Sequence, residues 1–193
     1  MSRKNIQWKH IGTFANKSGT MDITDPCYDI SEELSDPSLT SKWLPGLYNA
    51  YVDVRTIRKR CKGEDGKSVV RVRNYVCGLR IVHYAYGKTD AKDWICAYRP
   101  RLYDTDIYVD SGLCGFFDNK PNFKREIEAG LQTGDDRNPV TWQEVCDLVK
   151  EKDWAVLDYG VYSSSGFGND SYNAYAWRDA TGLTVAAELR FII

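Results

Sequence analysis

The sequence predicts a β-rich α+β fold: a curved antiparallel sheet, or a sandwich, with two flanking helices. Three observations predict it. Apolar residues recur at every second position through much of the chain, the period of a strand with one buried face. Clusters of Gly, Pro, Asn and Asp separate these runs as turns do. Only two stretches carry a clear helical period. The 193 residues, 42% of them apolar and 13% aromatic, suit a single globular domain spanning 1–193 with a sizeable core. No repeat, linker or low-complexity segment divides it.

The elements follow in order. Residues 19–24 alternate around Met21 and Ile23 and run into Asp25-Pro26-Cys27-Tyr28, where Pro26 ends the strand. Residues 30–42 are polar, with a short helical turn expected under Ile30 and Leu34. Pro45-Gly46 is a turn. Residues 47–57 alternate, with Tyr48, Ala50, Val52 and Val54 expected on one face. The run 62–67 is a hairpin loop by composition, between that strand and one over 69–75. A further strand covers 79–86, with His83 in phase with Leu79 and Ile81. Short strands at 107–109 and 115–117 end at Asp110-Ser111-Gly112 and at Asp118. Helices are expected over 122–132, from Phe123, Ile127 and Leu131, and over 141–151. In the second, Thr141 and Glu144 form a capping box ahead of an apolar stripe of Trp142, Val145, Cys146 and Val149. Residues 154–162, 172–177 and 185–193 read as strands closing a meander, with a Ser/Gly loop at 163–170 and a turn at 179–182.

Bulk charge narrows the function. Lys plus Arg total 26 and Asp plus Glu 27, so general coating of nucleic acid is not expected, although a local basic patch is compatible. No apolar run approaches the roughly 20 residues that cross a bilayer. The basic start of the chain precedes no apolar stretch, so no secretory signal is read there, no membrane partner is expected and the expected location is the cytoplasm. The six cysteines, at 27, 61, 77, 96, 114 and 146, are then expected to be reduced. They form no C-x-x-C pair and stand with only His10 and His83, which does not suit zinc.

Three separated motifs, Asp25-Pro26-Cys27-Tyr28, Val109-Asp110-Ser111-Gly112 and Ser165-Gly166-Phe167-Gly168-Asn169-Asp170-Ser171-Tyr172, together with Phe117-Asp118, carry a resemblance. In order and spacing the chain resembles the small uncharacterised phage and bacterial proteins related to domain of unknown function 4241. The chain departs at Asn169, where the resemblance leads one to expect Asp, and at Asp170, where it leads one to expect Gly. The resemblance implies a shared fold and a phage or mobile-element setting, hence a host cytoplasm. It implies no particular activity.

Four constellations could carry chemistry. Asp25, Asp110, Asp118 and Asp170 each stand at a strand end, and a convergent set would suit Mg²⁺ or Ca²⁺. The same residues before Pro or Gly also cap turns. Cys27 with His83 could form a nucleophile–base pair, whereas the phase of His83 suits a packed core histidine. The small residues of 163–171, among them Ser165, Gly166 and Gly168 ahead of Tyr172, could let backbone N–H groups meet an anion, or could be a plain hairpin loop. Arg55, Arg58, Arg60, Arg71 and Arg73 make the hairpin at 55–73 basic, with Tyr75 and Tyr84 for stacking. Arg71 and Arg73 share a face, and Arg58 and Arg60 are expected across from them. The functional expectation is a phage-type accessory binding protein, with a counter-defence role in view, that recognises an anionic, nucleotide-like ligand or a host protein without turnover or cofactor. Its expected contacts are Asp25, Cys27, Tyr28, Arg71, Arg73, Asp110, Ser111, Ser165, Gly166, Gly168 and Tyr172. The alternative is a metal-dependent phosphate-ester hydrolase using the Asp set.

Overall fold

Alternating apolar residues, wherever the chain pairs, produce strands. The computed structural model describes residues 7–28, 42–62, 66–87, 101–102, 107–118, 137 and 141–192. Its elements are β1 (Trp8–Asn16), β2 (Asp22–Thr24), β3 (Gly46–Lys62), β4 (Ser68–His83), β5 (Arg101–Leu102), β6 (Ile107–Val109), β7 (Leu113–Phe117), α1 (Trp142–Val149), β8 (Trp154–Val156), β9 (Gly160–Ser164), β10 (Asp170–Arg178) and β11 (Thr184–Arg190). They form two antiparallel sheets, neither closed. The larger runs β1-β3-β4-β11-β10-β5, with β6 also on β10, and the smaller runs β2-β7-β9-β8.

The period of two sorts the side chains into layers. Tyr48, Ala50 and Val52 of β3, Leu79 and Ile81 of β4 and Ala187 and Leu189 of β11 are buried in one cluster. Ile23, Cys114, Phe116 and Val161 of the smaller sheet enter the same cluster, so the two sheets share a core. The alternate residues Leu113, Phe117, Ala155 and Tyr162 face away from it and meet Val145 of α1. The order of layers is larger sheet, smaller sheet, helix. The capping box of α1 is formed: Glu144 N donates to Thr141 Oγ1 at 3.2 Å and Thr141 N to Glu144 Oε2 at 3.1 Å. The Tyr162 hydroxyl ties the helix to its sheet by donating to Val145 O at 2.8 Å.

Several expectations change. Among the described residues there is one helix, α1; the helix expected over 122–132 and most of the turn expected over 30–42 lie outside them. The single strand read over 154–162 is a hairpin, β8 and β9, because Leu157 N donates to Gly160 O at 2.8 Å across a tight turn. The strands read at 69–75 and 79–86 are one strand, β4, kinked where Cys77 stands outside the pairing between Val54↔Val76 and Asp53↔Gly78. β1 has no counterpart in the sequence reading: its alternation is broken between His10 and Gly12 by an irregularity in register.

The kink marks where the hairpin leaves the sheet. β1 pairs with β3 no further out than Trp8↔Asp53, and β11 with β4 no further than Arg190↔Gly78. Beyond these pairs, residues 54–62 and 68–76 pair only with each other. They form a two-stranded arm roughly 30 Å long at about 3.3 Å per residue. Val54, expected inside with Val52, is exposed for this reason, as are Val69, Val70 and Val72. The foot of the arm is anchored. Phe191 N and Ile192 N both donate to Cys77 O, at 3.0 and 3.2 Å, and Arg55 bonds the buried Asp53 at 2.8 Å.

Candidate functional site

Asp25 follows β2, and its neighbours in the chain hold it inside the protein. Its carboxylate is fully buried and accepts four hydrogen bonds. Oδ1 takes Cys27 N at 2.7 Å and Ser111 Oγ at 2.6 Å, and Oδ2 takes Asp110 N at 2.8 Å and Ser111 N at 2.7 Å. One side chain thus closes its own turn and fastens the loop after β6 to it.

The Ser/Gly loop joins the same rim. Ser165 N donates to Gly112 O at 2.9 Å, and β10 begins by pairing Asp170 with Val109. The Ser165 hydroxyl donates to Gly168 O at 2.9 Å. The buried Tyr172 hydroxyl lies 2.7 Å from Ser165 O and 2.6 Å from Gly168 O and is shared between them. Burial raises the Tyr172 phenol above its ordinary range, against the bond to Ser165. Gly166 has φ 62°, and a Cβ there would come within 2.9 Å of Ile192 Cγ1. That glycine serves close packing against the chain's end as well as a left-handed turn.

Asp25, Cys27, Asp110, Ser111, Ser165, Gly166, Gly168 and Tyr172 therefore lie on one rim, and Tyr28 N completes the first turn by bonding Asp25 O at 3.2 Å. What unites them is mutual hydrogen bonding. Asp25 bonds Ser111, the Ser165 and Tyr172 hydroxyls bond carbonyls of the Ser/Gly loop, and Ser165 N joins the two groups through Gly112 O, which makes the three motifs a latch across five strand ends.

The acidic set is divided, with Asp118 apart from the other three. Asp118 follows β7 whereas Asp110 precedes it, so the two stand at opposite ends of that strand. Asp118 accepts Lys17 N at 2.7 Å and Ser18 N at 3.3 Å, and the Ser18 hydroxyl as well, closing a different turn. Asp170 is exposed and bonds its own neighbour, Ser171 N, at 2.8 Å. Among the described residues no group of three His, Cys, Asp or Glu could hold a metal ion.

The Cys27–His83 pair is not formed. His83 lies on β4 eight positions from Tyr75, toward the far end from the arm. Its Nε2 lies 3.2 Å from Pro45 O and its Nδ1 accepts Ala85 N at 3.2 Å. The ring packs edge-on to Tyr48 at 5.1 Å. Both nitrogens are occupied, which makes His83 a packed, hydrogen-bonded core residue. Tyr84, proposed for stacking, is next to it and away from the arm.

The arginines divide between the two faces of the arm. Directly paired residues of an antiparallel ladder point the same way. Arg73 pairs with Ile57, and Arg55 with Tyr75, so Arg71 and Arg73 share a face with Tyr75 and Arg55. Arg58 pairs with Val72 and Arg60 with Val70, which places Arg58 and Arg60 on the opposite face and corrects the expected cluster of four. Arg58, Arg60, Arg71 and Arg73 are exposed and make no ion pair among the described residues.

A residue absent from the expected contacts links the rim to the arm. Phe167, 67% exposed at the tip of the Ser/Gly loop, packs edge-on to Tyr75 with centroids 5.4 Å apart. The face that carries Arg73 and Arg71 thus begins at a Tyr75–Phe167 platform. Phe167 lies within the motif and its exposure was the missing signal: a large aromatic between two glycines has no strand or helix to bury it.

No protein-family model matches the chain, and neither the curated proteins nor the solved structures include a significant match.

Proposed function

We propose that the chain is a binding protein that acts without turnover, and that its basic arm takes the anionic partner. One observation carries this reading. Residues 54–75 hold eight Lys and Arg against two acids, a net +6, while the whole chain is −1, so the remainder is −7. Cations gathered on a slender arm repel one another, and an anion relieves that repulsion. The aromatic platform at the foot of the arm adds a surface on which a planar base can stack.

The resemblance to the phage and bacterial proteins supports reading this activity in a phage or mobile-element setting. Capturing a nucleotide signal or a host component would make it a counter-defence protein. The hydrolase alternative, with Mg²⁺ or Ca²⁺, gains no support from the geometry, because the oxygens of Asp25 and Asp118 accept backbone N–H groups that a cation would have to displace.

Calorimetric titration against nucleotides and cyclic dinucleotides tests the reading. Replacing Arg71 and Arg73 with Ala should weaken whatever anion binds by about 1.5–3 kcal/mol for each charged hydrogen bond lost. Stability should change by no more than about 0.5 kcal/mol, as expected of exposed positions. Undiminished affinity in the double variant would contradict the assignment.

A further inference from the structure

The anion can be narrowed by the shape that carries the charge. A mononucleotide would meet two or three neighbouring cations at one end of the arm. An acidic protein surface would meet one face. The cations instead lie on both faces and along the whole exposed length: Arg71 and Arg73 on one, Arg58, Arg60 and Lys62 on the other. Pairing of the arms of two copies is a poor arrangement, since two arms of +6 repel.

Building on the anion-binding reading, we propose that the arm inserts into the major groove of duplex DNA. That groove is about 12 Å wide and admits a two-stranded β-ribbon. Paired strands lie about 4.8 Å apart, which leaves room for a side chain at each margin. Inside the groove one face of the ribbon meets base edges, while long side chains of the other face reach over the margins to phosphates. Both sets of arginines are then answered. The exposed Val70 and Val72, on the face of Arg58 and Arg60, suit the floor, because thymine methyl groups offer apolar contact there. Beyond the Trp8↔Asp53 and Arg190↔Gly78 pairs neither strand of the arm has a third strand beside it among the described residues, so outward N–H groups face the groove walls. At about 3.4 Å per base pair an arm of roughly 30 Å covers about nine pairs. The near-neutral whole chain and acidic remainder keep the contact local to the arm.

Fluorescence anisotropy with a labelled DNA duplex of about 20 pairs, titrated between about 50 and 200 mM salt, tests this. The comparison ligands are the same sequence as single strand, an RNA duplex, poly-glutamate and mononucleotides. The expected result is tightest binding to the DNA duplex. RNA should bind more weakly, because its deep, narrow major groove excludes the ribbon. Arg58→Ala/Arg60→Ala and Arg71→Ala/Arg73→Ala should each weaken DNA binding tenfold or more; the pair that reaches phosphates should flatten the salt slope by about two, one per cation removed, and the pair that faces base edges should flatten it less. Unchanged thermal midpoints in both variants would place these losses at the contact. Equal binding to single strand or RNA, or sensitivity in only one of the two pairs, would overturn groove insertion. Binding of mononucleotides or poly-glutamate without DNA would overturn the duplex and leave the anion reading standing. Failure to bind any of these ligands would overturn both.

Discussion

Asp25 shows how one buried side chain can hold three distant segments in place. Among the described residues, four donors come from residues 27, 110 and 111, and removal of the carboxylate would leave them without this acceptor. Asp25→Ala should therefore destabilise the fold by about 2–5 kcal/mol, since each orphaned buried donor costs roughly 1–3 kcal/mol. Urea unfolding measures it, and a change below about 0.5 kcal/mol would mean the latch does not hold the rim. Burial has a second consequence at this scale. It pushes the Cys114 thiol well above its ordinary 9.0, and the Tyr48 and Tyr162 phenols well above 10.0. In the unfolded chain these groups ionise at their ordinary values. Above about pH 9 the native state therefore binds more protons than the unfolded state, and stability must fall as pH rises. The urea midpoint should be lower at about pH 10.5 than at pH 8; an equal or higher midpoint would contradict the burial.

At the scale of elements, what could be foreseen depended on whether local chemistry or partner strands decided the outcome. The capping box of α1 was readable because Thr141 and Glu144 satisfy each other within one turn. The paired runs around Tyr48, Leu79 and Leu189 were readable because period two survives in any register. The position of Val54 was not, because it depends on where β1 and β11 stop pairing. Nor were the faces of Arg58 and Arg60, which depend on hairpin register. Arg80 and Glu188 were also hidden: they sit opposite each other in adjacent strands, 108 residues apart, with Nε to Oε2 at 3.0 Å and the guanidinium 4.1 Å from the Trp8 ring centroid. The arm itself predicts a gradient. Two strands without a third side are marginally stable, while the same strands deeper in the sheet are held on both edges. Amide hydrogens of residues 56–60 and 70–74 should exchange far faster than those of 79–81, and comparable protection would mean the arm is covered.

At the scale of the whole molecule, the fold separates a rigid body from a charged projection. Two sheets and a helix supply the body, and the latch of the three motifs closes the rim from which the arm rises. The three motifs maintain that scaffold, and Phe167 is the place where they reach the foot of the arm, the proposed binding surface. Charge divides in the same way, +6 on residues 54–75 and −7 on the rest. The most direct measurement compares two exposed variants by affinity for immobilised heparin, a polyanion of no particular sequence: Arg58→Ala/Arg60→Ala/Arg71→Ala/Arg73→Ala on the arm, and Asp110→Ala/Asp170→Ala on the rim. If the arm is the binding surface, the arm variant elutes at much lower salt than the unaltered protein, while the rim variant elutes at the same salt or higher, with both unfolding at the original midpoint. Retention of the arm variant at the original salt, or loss of binding through the rim variant, would contradict it.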